Sequence, residues 1–241
     1  MKKLTRLLSM FLLLTLLLTA AIPASAQSDE QGTSNPLIPY SSSWLGPYLY
    51  NDEIYVGVNG MNGTITGGMH TEVDLGEHNL KIELFYGTTA STITNSAGFV
   101  ETTDITRYPE DISITVPVSN SYYWKAVVTG TKHGDQVVNC SSYSFFPYNK
   151  KGERCPDPLF MVGGQSLPFP QSTAWEVVDN PVTWTSQDEY EFRMRYNNVD
   201  WSKYKIHHVR PLKYGGTNDA SNVFAISNQE YDSMQIWWEN Y

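Results

Sequence analysis

Residues 44–148 alternate apolar and polar side chains in short stretches interrupted by small, flexible residues, and that pattern leaves little choice of fold. Apolar residues repeat at alternate positions, or run unbroken, over residues 54–58, 80–86, 112–116 and 123–128, and residues 142–146 follow as a last such stretch. Period-two alternation buries one face of an extended chain and wets the other. Asn59-Gly60, Asn62-Gly63, Gly67-Gly68 and His133-Gly134-Asp135 punctuate the stretches with residues that take up tight turns. Several short strands with turn signals in about a hundred residues predict an antiparallel β-sandwich. Its Tyr and Trp residues fill a core or line a sugar-binding surface, and His70, His78 and His133 are expected at the surface.

The N-terminus reads as an export signal. Lys2, Lys3 and Arg6 precede an almost wholly apolar run over residues 7–18, and Ala24-Ser25-Ala26 supplies the small residues of a cleavage site. The run is shorter than the roughly 20 residues that span a bilayer. Residues 1–26 are therefore expected to be a signal peptide, bacterial in type, and the polar residues 27–43 a flexible spacer. No later stretch is long and apolar enough to anchor the chain, so the product is expected outside the cell without a stable membrane anchor.

Composition narrows the partners. Charged residues make up 17%, too few for charge-driven disorder. Net charge is −9, and losing residues 1–26 removes three cations and no acid, leaving −12. That total opposes generic nucleic-acid binding unless a basic patch survives locally. Two Cys exclude a zinc ribbon or a disulfide-dense scaffold. Cys140 and Cys155 would either form a disulfide in an oxidising compartment, adding ~3 kcal/mol, or stand as separate thiols.

Residues 149–189 change character. Pro156, Pro158, Pro168, Pro170 and Pro181, with Gly152 and Gly163-Gly164, break helices and central strands and predict a linker or an irregular wrapping segment. Beyond it, residues 190–215 carry Arg193, Arg195, Lys203, Lys205, Arg210 and Lys213 against Glu191 and Asp200. This excess marks either a phosphate-facing patch or an ordinary solvated face. Arg193 and Arg195 share one face if residues 190–196 are extended. Nearby Tyr196, Trp201 and Tyr204 either stack on bases or join the core.

The densest motif is Ile206-His207-His208-Val209-Arg210-Pro211-Leu212-Lys213-Tyr214-Gly215-Gly216-Thr217-Asn218-Asp219-Ala220-Ser221-Asn222-Val223. A His pair ending a strand, then Pro, Gly-Gly and an Asn opening a short helix, resembles the first two-thirds of an HNH nuclease motif. The resemblance covers residues 190–241 and extends to Trp201 and to Trp237-Trp238. It implies a ββα-metal fold that hydrolyses DNA or RNA with a divalent cation, Mg²⁺ or Zn²⁺. By resemblance, His207 would bind the metal, His208 would act as general base and Asn222 would pin the loop or, as in some relatives, touch the metal. In the family the helix supplies further His residues, but Tyr231 and Gln235 stand at those places and no His follows His208. A catalytic zinc normally takes three protein ligands. Glu230 or Asp232 would have to complete the set, and oxygen ligands favour Mg²⁺. More loosely, residues 123–128, Gly134 and 142–145 are similar to the end of a fibronectin type III or immunoglobulin-like module.

The expected fold is thus mostly β with a small α+β end: a sandwich over 44–148, a connecting segment over 149–189 and an HNH-like domain over 190–241. Two functions remain open beside a purely structural extracellular role with no small ligand. One is a secreted metal-dependent nuclease, with Arg193, Arg195, Lys205, Arg210 and Lys213 facing nucleic acid. The other is a non-catalytic secreted binding or adhesion protein that meets a cell wall or a protein through its sandwich.

Overall fold

The computed structural model describes residues 48–103, 109–161 and 164–241, so the expected signal peptide (1–26) and spacer (27–43) lie outside the described residues. The chain is mostly β with a small α+β end. In chain order the first nine strands are β1 (Tyr48–Asn51), β2 (Ile54–Met61), β3 (Thr64–Thr71), β4 (Asn79–Gly87), β5 (Asn95–Thr102), β6 (Glu110–Pro117), β7 (Tyr122–Lys132), β8 (Gln136–Ser141) and β9 (Pro147–Tyr148). They form two antiparallel sheets, ordered β1-β2-β3-β6 and β5-β4-β7-β8, with the short β9 joined to β7.

Alternation drives the two sheets together. Ile54, Val56 and Val58 of β2 and Ile65 and Met69 of β3 share one core with Leu80, Ile82 and Leu84 of β4 and Trp124, Ala126 and Val128 of β7. Each such aliphatic side chain contributes roughly 1.5–3 kcal/mol when fully buried. Gly67-Gly68 is not a turn, as the sequence suggested, but the middle of β3. A Cβ at Gly67 would lie 2.6 Å from Leu84 Cδ1, so glycine is kept there to let the sheets approach.

Other expectations also change. Residues 142–146 form no strand. The Ser142 hydroxyl accepts from the Ala126 N–H (3.0 Å), ending the ladder on a side chain, and Phe145 and Phe146 turn towards Phe169. His70 and His78 are buried, not superficial. Asp111 lies opposite His70 in register, 2.6 Å away, and the Gly76 carbonyl lies 2.7 Å from the His78 Nδ1. Partners built into the fold let both imidazoles leave water.

Cys140 and Cys155 are separate buried thiols. Burial pushes the Cys140 thiol up to about 11 and raises that of Cys155 as well. Both should take up an alkylating agent in denaturant without reductant, each adding one adduct by mass spectrometry. An unreactive pair that alkylates only after reduction would contradict this.

Residues 149–161 and 164–185 wrap against the rest of the chain. Gly63 N–H donates to Lys151 O (2.8 Å), and Asn149, fully buried, donates through its side chain to Glu153 (2.8 Å) and to Trp237 O (3.4 Å). The Tyr123 hydroxyl donates to Pro170 O. The C-terminal part contains α1 (Ser186–Arg195), β10 (Tyr204–His208), a 3₁₀ turn at Leu212–Tyr214, β11 (Val223–Ser227) and α2 (Asn228–Glu239). Residues 190–195, read as potentially extended, belong to α1. The helix starts at a capping box, Thr185 with Asp188, which lies before the expected domain boundary. Among the described residues no helix is long and apolar enough to cross a membrane.

Candidate functional site

The motif folds as a hairpin followed by a helix. β10 pairs antiparallel with β11, with His207 opposite Phe224 and His208 opposite Val223. Asn222 is therefore the last turn residue before a strand and does not open a helix as the motif suggested. Strand parity then sorts every side chain. Phe224 and Ile226 pack with Tyr231, Met234, Trp237 and Trp238 on the α2 side. Ile206, Val223 and Ala225 pack with Trp184, Phe192 and Trp201 on the α1 side. Adjacent residues on a strand face opposite ways, so His207 goes with α2 and His208 with α1.

Contacts bear this out. His207 is 3% exposed, and its ring meets Tyr231 edge-on at 6.5 Å. Burial, with a further push from His208, brings its pKa down to about 4, so it is neutral at neutral pH. His208 is half-buried and meets Trp184 edge-on at 5.1 Å. Burial lowers its pKa too, partly offset by the Asn218 carboxamide beside it. His208 Nε2 and Asn218 Oδ1 are both buried without a well-aligned hydrogen bond. Neither Trp184 nor Asn218 stood out in the sequence as a neighbour of His208. The Thr185-x-x-Asp188 capping box, which begins α1 beside Trp184, was a readable signal for the first.

Asn222 closes the loop between the strands. Its Oδ1 accepts from Arg210 N–H (2.7 Å), and its Nδ2 donates to Arg210 O (3.0 Å) and Thr217 O (2.8 Å). Gly216 fits under this clamp because a Cβ there would lie 1.9 Å from Arg210 O.

The carboxylates named as substitute metal ligands are engaged elsewhere. Glu230 caps α2: one oxygen accepts from Ser227 N–H (2.9 Å), the other from Leu159 N–H (2.9 Å). Asp232 pairs with Lys205 at 2.7 Å. Among the described residues no three His, Cys, Asp or Glu side chains converge as a metal site. His207, Glu230 and Asp232 are thus not brought together, and His208 lies across the hairpin from them.

The basic residues also disperse. Arg193 pairs with Glu189 (2.7 Å) and lies over Trp201, and Lys205 lies over Tyr231. Arg210 lies over Trp175 and donates to Tyr214 O (2.6 Å), while Lys213 lies over Tyr214. Arg195 lines a cavity of about 40 Å³ with Trp184, Asp188, Glu191 and Asn218. Two positions on a helix diverge by roughly 200°, so Arg193 and Arg195 do not share a face. No protein family matches the chain, and no curated protein matches it.

Proposed function

We propose that the chain is a non-catalytic extracellular binding protein, in which the β-sandwich recognises the partner and the ββα unit braces one end of it. The observation that carries this reading is the fate of the position where the resemblance expects a His. Tyr231 fills it, packs with the Trp237 and Trp238 cluster, and leaves His207 facing an aromatic ring instead of a ligand set. A buried imidazole held neutral without a second or third ligand is a weak site for a divalent ion.

A second reading, a metal-dependent phosphodiesterase of HNH type, is supported by the strand-strand-helix order and by the Asn222 clamp. One experiment separates them. The mature chain and its His208→Ala variant are incubated with plasmid DNA and with RNA, in Mg²⁺, Mn²⁺ or Zn²⁺ and in chelator. The expected result is no cleavage above background under any condition. Cleavage that needs a metal and is lost in the variant would overturn the non-catalytic reading.

A further inference from the structure

We propose that β1 is an exchangeable edge strand: it leaves β2 and pairs with β2 of a second copy of this chain when the ion cluster around Lys132 is broken. β1 lies at the edge of its sheet and pairs with β2 over four residues, from Tyr48 opposite Gly57 to Asn51 opposite Ile54. The intervening turn has only two residues, Asp52 and Glu53, with φ of 41° and 73°. Such a turn favours Asn-Gly, because an L side chain in left-handed backbone meets the following carbonyl. The hinge of the edge strand is therefore short and strained.

Side chains from the other sheet hold it closed. Lys132, 5% exposed at the end of β7, donates to Asp52 O (3.1 Å), Asp52 Oδ2 (2.8 Å) and Glu53 Oε2 (2.7 Å). His133, itself at φ 49°, lies with Nε2 3.0 Å from the same Glu53 oxygen. Three donor positions meet three acceptors, and all three acceptors belong to the hinge. Opening the hinge leaves a buried ammonium without partners, which strongly opposes it. The ammonium also holds both carboxylates below their ordinary range.

Exchange costs little else. The ladder pairs and the ring contacts of Tyr48 and Tyr50 with Tyr55 (5.2 and 4.6 Å) re-form between copies with the same partners. Among the contacts described above the hinge is what differs, and straightening it removes both positive φ angles. A short hinge under strain is the condition that favours swapping. Hinge strain thus pushes towards exchange and the Lys132 cluster holds against it. Nothing in the ββα unit enters this balance, so its outcome does not depend on the function proposed above.

Light scattering on the mature chain at matched concentrations tests this. Wild type at neutral pH is expected to be monomeric, and folded Lys132→Met to raise the dimer-to-monomer ratio about tenfold or more. Adding Asp52→Asn with Glu53→Gly, which relaxes the turn, should return it to monomer. Should Lys132→Met not fold, Asp52→Ala with Glu53→Ala, which removes both carboxylates from the cluster and keeps the turn strained, should raise the ratio in its place. The relaxed-turn double variant should not. Monomers throughout, or dimers that the Asn-Gly turn does not reduce, would overturn the proposal.

Discussion

Trp237→Ala should destabilise the chain by about 3–5 kcal/mol, the cost of emptying a large aromatic site that cannot collapse. Trp237 is 2% exposed, sits edge-on against Trp238 at 4.9 Å, and donates from its indole N–H to Glu153 O (2.9 Å). Truncation removes the ring and one of the two hydrogen bonds to the Glu153 carbonyl, which keeps the Asn149 N–H (3.0 Å). Its neighbour Ile236, 56% exposed on the same helix, is the control: Ile236→Ala should change stability by less than about 0.5 kcal/mol. Thermal unfolding decides, since 1 kcal/mol moves the midpoint by roughly 2–4 °C at this chain length. A Trp237→Ala midpoint within about 2 °C of wild type would show that this helix does not hold the C-terminal part together.

The second large effect is a loss of stability in mild acid that traces to His207. Its folded pKa of about 4 lies below the ordinary value of 6.5. The unfolded chain therefore binds the proton more readily between those values, and stability falls as pH falls. The contribution is fully present above about pH 6.5, roughly 2 kcal/mol of it is gone by pH 5, and about 3 kcal/mol is gone once pH is below 4. His208, shifted in the same direction, adds to the slope. His207→Gln cannot take up the proton and should flatten the profile between pH 6.5 and 4. Urea titrations at several pH values would reveal an unchanged slope if the idea is wrong. The same burial that makes His207 a pH liability suits it poorly to a role as an accessible ligand.

Legibility followed periodicity. The alternation over residues 54–58, 80–86, 112–116 and 123–128 marked β2, β4, β6 and β7, because each needs one buried and one wet face. β3 was hidden by Gly67-Gly68, where the physical need was close approach between sheets and not a turn. β5 and β8 lie at sheet edges, where weaker burial blurs the pattern. α1 was obscured by the Pro-rich stretch before it, although Thr185-x-x-Asp188 announced its start. At the candidate site Asn222 closes the loop of a hairpin, where the motif had it open a helix. What the motif could not convey is that strand parity sends His207 and His208 to opposite sides, or that Glu230 would be spent on capping its own helix. Those outcomes depend on register, which neighbouring elements decide.

The buried Asn149 has a consequence for anyone dividing this protein. Its side chain bonds the turn at Glu153 and the backbone of Trp237, while Lys151 next to it receives the N–H of Gly63 from the β2–β3 turn. Residues 149–153 thus act as a mortised joint and not as a tether. A cut after Tyr148 would leave a raw surface on both halves, and neither fragment would be expected to express well alone. Pulling on the two ends would load this joint early, so the chain should yield as one piece under force instead of paying out two bodies in turn.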